Sequence, residues 1–193
     1  MIRIMDPISG HHMFWQGAMS NFGTLGLLPF VTASGTYGYG PYHELERPGN
    51  FTVGCWLKTA GNGHIVGNWK AANQVWRLHM TGSKPTLSVS SNGSNETTVQ
   101  ADAVIGNVWT FLVGRYTGGS EMALWVNSTK KVNTTSIPAT PYASSTGIWT
   151  VGIQDGAVNA LGGSMALMFF SNLAVPDVHI SALFSVGRIL FDI

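Results

Sequence analysis

Glu44 and Glu46, in the segment HELER, are the only close pair of carboxylates that could act together as a catalytic acid and base. Retaining hydrolysis of a glycoside needs two carboxyl groups about 5–5.5 Å apart. Residues two apart share one face of an extended chain, but this pair precedes the first clear strand. With His43 and Arg47 beside it, the segment is interpreted as a solvated turn. The sequence therefore predicts no catalytic residue and a protein that is not an enzyme.

The histidines do not follow the spacing of a metal site. His11 and His12 are adjacent, so they point apart in an extended chain and chelate poorly without a third ligand. His64 and His79 fall on predicted strands, where a hydrogen-bonded structural role is favoured over a zinc ligand. Asp155, in the turn IQDG, is the one plausible calcium ligand, and calcium takes six to eight oxygens, usually from more than one carboxylate. We expect neither a metal nor a cofactor, with calcium at Asp155 as the alternative.

Aromatic and amide side chains around the loop KAANQ are the best candidates for a site that binds a polar ligand. Trp69 and Trp76 flank this loop, Asn73 lies in it, and Arg77 follows Trp76 directly. An indole face can stack on the apolar side of a sugar ring, and the other side chains can hydrogen-bond to its hydroxyls. The alternative is that the indoles fill a core, where each buries about 150–250 Å².

Composition excludes several classes of protein. Charged residues make up 10% of the 193 residues and the net charge is +1, whereas a typical soluble domain is roughly 25% charged. A nucleic-acid-binding module needs clustered Lys and Arg to displace counterions, and a disordered chain would be polar and charged. A surface with so little charge is either covered with Ser, Thr and Asn or partly buried in an assembly.

The single cysteine and the N-terminal residues indicate the cellular compartment in which the chain is made. Cys55 lies in the apolar run FTVGCWL, which favours a buried thiol, and one cysteine forms no intrachain disulfide. Polar and helix-breaking residues from Asp6 to His12 interrupt any signal-peptide-like apolar run. The longest apolar stretch is well short of the ~20 residues that cross a membrane as a helix. We therefore expect a chain without a signal peptide that is made in a cytoplasm and does not enter a membrane.

From residue 51 onward, strand-like segments separated by turn signals follow one another every 8–12 residues, as in a sandwich. In the first of them Phe51, Val53, Cys55 and Leu57 alternate with Trp56 and its polar neighbours. Two later segments, VWTFLVGRYT (108–117) and MALWVN (122–127), are apolar on both faces, which is typical of central strands covered on both sides. A core position is favoured for their tryptophans, Trp109 and Trp125. The pattern predicts two antiparallel sheets over residues 45–175.

The period changes near the end of the chain. Apolar residues recur at helical spacing after Pro176 and Asp177, which suit a helix N-terminus, and Gly187 suits its end. These residues are Val178, Ala182, Leu183 and Val186. One short helix is predicted over 177–186.

Residues 1–45 differ from the rest and are assigned to an N-terminal arm, with the sandwich domain at residues 46–193. Residues 1–30 are rich in large apolar side chains but show neither helical nor strand periodicity. Apolar groups of this size need a partner surface, so we expect the arm to lie on a neighbouring subunit or another protein; the alternative is that it wraps its own sandwich. The candidate contact residues are Phe14, Trp15, Phe22, Leu27, Leu28 and Phe30.

The order of the segments resembles a known family. It begins with the F-T-x-x-x-W-x-K strand at 51–58 and continues with I-V-G-N at 65–68, W-x-L at 76–78 and G-x-V-W-T-F-L-V-G-R-Y at 106–116. It ends with M-A-L-W-V-N at 122–127 and the G-G-S-M-A-L-M-F-F strand. Over about residues 50–187 the chain resembles the laminin-G-like, concanavalin-A-like jelly-roll superfamily. This resemblance implies an all-β antiparallel jelly-roll sandwich. The chain departs from the family where an acidic pair often follows the first apolar residue of the last strand, since those positions are Ala166 and Leu167.

The resemblance also implies a function. Short, free-standing laminin-G-like domains without signal peptides are common among tailed-phage virion proteins, so the implied role is a non-enzymatic virion protein, such as a capsid decoration or an appendage, attached through its arm. The implied partners are further copies of the chain or virion proteins such as the major capsid protein, and the implied location is the virion. The alternative is a lectin-like module that binds a carbohydrate, such as a host glycan. Neither role needs nucleic acid or a membrane.

Overall fold

The computed structural model describes residues 38–40, 49–144, 149–154 and 158–191. The predicted arm residues, Phe14 to Phe30, lie outside this part of the chain, as do Glu44, Glu46 and Asp155. The boundary predicted between residues 45 and 46 also falls outside it.

Eleven strands and one helix make up the described part of the chain. The strands are β1 (Gly38–Gly40), β2 (Asn50–Lys58), β3 (Gly63–Asn68), β4 (Gln74–Thr81), β5 (Lys84–Gly93), β6 (Glu96–Gln100), β7 (Thr110–Thr117), β8 (Glu121–Val126), β9 (Thr129–Asn133), β10 (Trp149–Val151) and β11 (Ser164–Ser171). The helix α1 spans Asp177–Phe191.

The strands form two antiparallel sheets. The six-stranded sheet has the order β1-β10-β3-β4-β5-β6, and the five-stranded sheet has the order β11-β2-β7-β8-β9. Contacts of β6 with β8 and β9 show that the two sheets pack face to face. The predicted all-β sandwich with one C-terminal helix is confirmed.

The inner faces of the two sheets enclose the main core. In β2, the predicted set Phe51, Val53, Cys55 and Leu57 is fully buried there, because alternate residues of a strand project to the same side. Burial raises the pKa of the Cys55 thiol to about 12, so the thiol stays protonated and unreactive at neutral pH.

A second core lies between the five-stranded sheet and α1. Trp56, Phe111 and Trp125 project from the outer face of the sheet toward the helix residues Ile180 and Phe191. The central strands are therefore covered on both sides, as their apolar pattern predicts. Trp109 also packs here, with its ring centroid 4.6 Å from that of Phe191. Trp109 and Trp125 thus pack beneath the helix and not between the sheets.

The helix is longer than predicted, because Gly187 does not end it. Gly187 is buried against the indole of Trp56, where a Cβ atom would lie 2.7 Å from Cε2 and Cζ2 of that ring. Glycine is present at this position because the helix approaches the sheet closely, and the helix continues to Phe191, whose ring stacks 4.6 Å from Trp56.

Ion pairs hold the start of α1 on the sheet. Arg115, which is buried in β7, donates hydrogen bonds to the Val175 carbonyl (2.9 Å) and to Asp177 Oδ1 (2.6 Å), the first residue of the helix. Its other terminal nitrogen donates to Glu121, and Lys130 reaches Asp177 Oδ2 at 2.9 Å. An acidic residue in the first helical turn also complements the helix dipole.

Candidate functional site

A polar cleft of about 200 Å³ opens on the outer face of the six-stranded sheet. Its central residues come from β3 and β4, where His64 and His79 lie directly opposite each other. The turn that follows β10 completes one side with Gln154 and Asn159. The full lining comprises Asn62, Gly63, His64, Arg77, His79, Met80, Thr81, Gln154 and Asn159.

His64 forms the base of the cleft and is 1% exposed. Its Nε2 lies 3.3 Å from the Thr150 carbonyl oxygen and 3.2 Å from Thr150 Oγ1. A carbonyl oxygen only accepts hydrogen bonds, so this contact places the ring proton on Nε2. Burial lowers the pKa of His64 to about 3, although the contact with Thr150 acts in the opposite direction. The imidazole is therefore neutral at physiological pH.

His79 is held between two hydroxyl groups. Its Nε2 lies 2.9 Å from Ser88 Oγ, and its Nδ1 lies 3.0 Å from Thr81 Oγ1. Burial, assisted by the positive charge of Arg77, lowers the pKa of His79 to about 3. Ser88 is completely buried, and within the described ranges no carboxylate hydrogen-bonds to His79. The Ser88–His79 contact therefore stabilises the sheet and does not present a nucleophile to a substrate.

Arg77 connects the cleft to the surrounding surface. Its guanidinium lies over the indole ring of Trp69, 4.2 Å from the centroid, and pairs with Glu96 Oε2 at 3.2 Å. It also approaches Gln154 Oε1 at 3.5 Å, and Asn159 Nδ2 donates to the same oxygen at 2.9 Å. The stacked ring and the ion pair fix Arg77, which in turn helps to orient the two amide side chains.

The structure brings together two of the four residues singled out from the sequence for polar ligand binding. Trp69 and Arg77 are in contact, but Trp69 is only 3% exposed and Arg77 covers one face of its ring. Trp76 projects to the opposite side of β4, into the main core, 4.9 Å from Phe51. Asn73 lies in the turn between β3 and β4, where its N–H donates to the Lys70 carbonyl, and it does not line the cleft.

Three amide residues of the cleft were missed by the analysis of the sequence. Asn62 lies before β3, whereas Gln154 and Asn159 lie about ninety residues farther along the chain. The pairing of β10 with β3 and the hydrogen bond from the His64 N–H to the Asn159 carbonyl bring these segments together. No local pattern marks Gln154 or Asn159, although Gln154 is adjacent to the turn that contains Asp155.

Within residues 38–40, 49–144, 149–154 and 158–191, no cluster of three or more His, Cys, Asp or Glu residues is arranged to hold a metal ion. The described helix is too short to span a lipid bilayer.

The fold is shared with receptor-binding domains of bacterial toxins. The chain superposes on the binding domain of botulinum neurotoxin serotype G with a TM-score of 0.63 and 9% identity, over 79% of this chain and 40% of that one. For the binding domain of Paraclostridial Mosquitocidal Protein 1, the TM-score is 0.56 and the identity 11%, over 72% and 37% of the two chains. For the binding domain of botulinum neurotoxin DC in complex with SialylT, the values are 0.55 and 13%, over 71% and 35%.

The chain thus spans about two-fifths or less of the length of these structures, and at such identities the likeness shows the fold alone. A search of curated proteins found no match. The family model of the concanavalin A-like lectin/glucanases superfamily, of laminin G type, matches residues 32–181. This match covers most of the chain and agrees with the observed sandwich. The chain therefore belongs to the concanavalin A-like lectin/glucanases superfamily.

Proposed function

We propose that the chain is a non-enzymatic binding domain that takes a carbohydrate in the cleft between His64, Arg77 and Gln154. The observation that carries this proposal is the set of amide, hydroxyl and guanidinium groups that line one cleft on a rigid sheet. Hydroxyl groups of a sugar both donate and accept hydrogen bonds, and amide side chains offer both functions.

The size of the cleft limits how much of a ligand it can hold. Pockets for drug-sized ligands measure about 300–1,000 Å³, whereas this cleft measures about 200 Å³. A single sugar residue of a longer glycan fits such a volume. Two structural neighbours support this class of ligand: the binding domain of botulinum neurotoxin DC is in complex with SialylT, and cell entry of botulinum neurotoxin type C depends upon interaction with two ganglioside molecules.

A glycan array probed with the full chain tests this function. Gln154→Ala and Asn159→Ala should each weaken binding to the glycans that are recognised by tenfold or more, because each removes hydrogen bonds at the rim of the cleft. Asn95→Ala, in the exposed turn between β5 and β6, is the matched control and should bind as the parent does. If no glycan binds, or if both cleft variants bind normally, the proposal is wrong.

A second candidate function is a structural component of a phage virion, such as a capsid decoration, attached through the N-terminal arm. Two observations favour it: charged residues make up only 10% of the chain, and residues 1–30 contain many large apolar side chains. The proposed anchor residues are Phe14, Trp15, Phe22, Leu27, Leu28 and Phe30. This role is compatible with glycan binding, since an anchored domain can leave its cleft free.

Deletion of residues 1–30 tests the anchor. The shortened protein should keep its melting temperature and lose its association with the phage particle. Trp15→Ala should cause a smaller loss of the same kind, because large aromatic residues dominate such contacts. A much lower melting temperature with unchanged association would instead show that the arm covers its own domain.

A further inference from the structure

A stripe of apolar side chains runs along the outer, solvent-facing side of α1. Val178, Val186 and Ile189 are 69%, 66% and 78% exposed, and Leu190 is 46% exposed. Ala182 lies between the first two and is also exposed. Spacings of four and three residues place these side chains in one stripe along the helix. This is the same apolar repeat from which the helix was predicted, and it lies on the side away from the sheet.

The helix cannot turn this stripe inward. Its opposite side is already buried through Ile180, Gly187 and Phe191, and only glycine fits against Trp56 at position 187. The ion pairs of Asp177 with Arg115 and Lys130 fix the first turn. The exposed side of α1 also carries Ser181, Ser185 and Arg188, but a surface helix normally keeps its apolar residues on the buried side. The exposed apolar stripe therefore marks an interaction surface.

More exposed apolar side chains lie near the start of the helix. Leu167 in β11 and Leu173 in the connection to α1 are 40% and 38% exposed. The strand β11 is an edge strand of the five-stranded sheet, and β9 is its opposite edge. The β6 end of the six-stranded sheet packs over β8 and β9. The opposite end of the six-stranded sheet, which is β1, therefore lies on the same side of the sandwich as β11. The chain therefore enters its first described strand on the side of the sandwich that carries these leucines.

We propose that the outer face of α1 is the docking surface for residues 1–30 of a second copy of this chain. This inference rests on the arm-mediated assembly proposed above and names the surface that the arm contacts. Thirty-seven residues precede Gly38, and thirty extended residues span roughly 100 Å. A domain of this size has a radius of gyration of about 15 Å, so the arm is long enough to reach well beyond its own domain.

Direct pairing of two α1 helices does not fit the stripe as well as an arm does. A helix of 15 residues is about 22 Å long, and the few side chains of the stripe fall short of the ~800 Å² that each partner buries in a standard interface. The many apolar side chains of residues 1–30 supply the missing area. Exchange of arms between two copies buries both apolar surfaces of each copy in one assembly.

Disulfide trapping with purified full-length protein tests the contact and its direction. Cys55 is buried and its pKa is raised to about 12, so it does not compete with introduced cysteines in forming disulfides. Trp15→Cys and Val186→Cys proteins, mixed under mild oxidation, should form an intermolecular disulfide between the two variants. Val108→Cys is the matched control, because this valine is 60% exposed but lies outside α1, and it should not react with Trp15→Cys.

Two results of this experiment would overturn the proposal. The first is no cross-link between Trp15→Cys and Val186→Cys above the level of the Val108→Cys control. The second is an exclusively intrachain disulfide in the Trp15→Cys, Val186→Cys double variant, which would show that the arm covers its own helix.

Size-exclusion chromatography with light scattering gives an independent measurement. Ile189→Glu should reduce self-association at least tenfold without lowering the melting temperature, because the side chain is 78% exposed. Val108→Glu should leave association unchanged. Association that survives Ile189→Glu would contradict the proposal. None of these measurements uses a phage particle, so a failure of the virion role would leave the cross-linking result intact, and a failed cross-link would leave the particle test intact.

Discussion

The indole ring of Trp56 lies against the backbone of Gly187, so the approach of α1 to β2 leaves no space for a side chain at position 187. A Cβ atom on residue 187 would meet Nε1, Cε2 and Cζ2 of the ring. Trp56 is 1% exposed and is also stacked on Phe191 and Phe184, so it has no room to withdraw. This contact sets the depth at which α1 sits on the sheet.

Gly187→Ala should lower the free energy of unfolding by about 1–3 kcal/mol, the usual cost of overpacking a core. Helix propensity alone predicts the opposite, a gain of about 1 kcal/mol in stability. The sign of the measured change therefore shows whether overpacking or helix propensity dominates at this position. Gly162→Ala is the matched control, because a Cβ there meets nothing within 4 Å. Urea unfolding of both variants measures the difference, and a more stable Gly187→Ala protein would show that the close approach is absent.

Arg115→Met should cost about 3 kcal/mol, because it removes the hydrogen bonds to Glu121 and Asp177 at a partly buried site and leaves Asp177 with Lys130 alone. Asp177→Asn should cost less than about 1 kcal/mol, because the Asp177 side chain is half exposed. Hydrogen bonds from Lys130 and Arg115 lower the pKa of Asp177. Its contribution is therefore present above the ordinary pKa of an aspartate and is lost as the pH falls through the lowered value. Equal losses in the two variants would contradict this ranking.

Stability should decrease as the pH falls from about 6.5 toward 3, because His64 and His79 stay neutral in the folded protein. Their pKa values are lowered to about 3 by burial, whereas the unfolded chain takes up protons near pH 6.5. The unfolded state therefore binds more protons in this range, and each histidine contributes a slope of up to about 1.4 kcal/mol per pH unit. Urea midpoints measured between pH 7 and 4 give the slope. His79→Gln should reduce it by about half, and an unchanged slope would show that His79 is not responsible.

Asn68→Leu should raise the free energy of unfolding by about 1 kcal/mol. Asn68 is completely buried in β3, opposite Trp76 in β4, and neither atom of its amide group has a hydrogen-bond partner. A buried polar group without a partner costs about 1–3 kcal/mol, and leucine has a similar size. Thermal or urea unfolding measures the change, and Asn107→Leu in the exposed segment before β7 is the control. A large loss of stability would show that the amide makes contacts that leucine cannot replace.

The alternation in β2 was sufficient to predict which side chains build the main core, because Phe51, Val53 and Leu57 obey the period of a strand without interruption. The same reasoning does not assign Trp76 to a face, since a register shift between Gln74 and Trp76 breaks the alternation of β4. Trp76 lies in the core and Arg77 at the cleft because successive residues of a strand project to opposite faces, but the sequence alone does not show which of the two faces the core.

The helix illustrates a second limit. Its existence follows from the spacing of Val178, Ala182 and Val186, but those residues face solvent, while Ile180 and Phe191 face the sheet. A helix that is apolar on two sides gives no indication of which side is buried. The cleft residues Gln154 and Asn159 were also beyond prediction, because their positions depend on strand pairing over about ninety residues.

The edges of the two sheets bear on how the protein behaves when it is concentrated. Unpaired edge strands invite strands of other molecules and so promote aggregation. Here β9 places Lys130 and Lys131 on one edge, and β11 interrupts the other edge of its sheet with a bulge at Leu167, a residue with a φ of 48°. At the β6 edge of the six-stranded sheet, the strand has five residues and begins with the exposed carboxylate of Glu96. These features disfavour the growth of intermolecular sheets at these edges, so the sandwich should resist fibril formation along them.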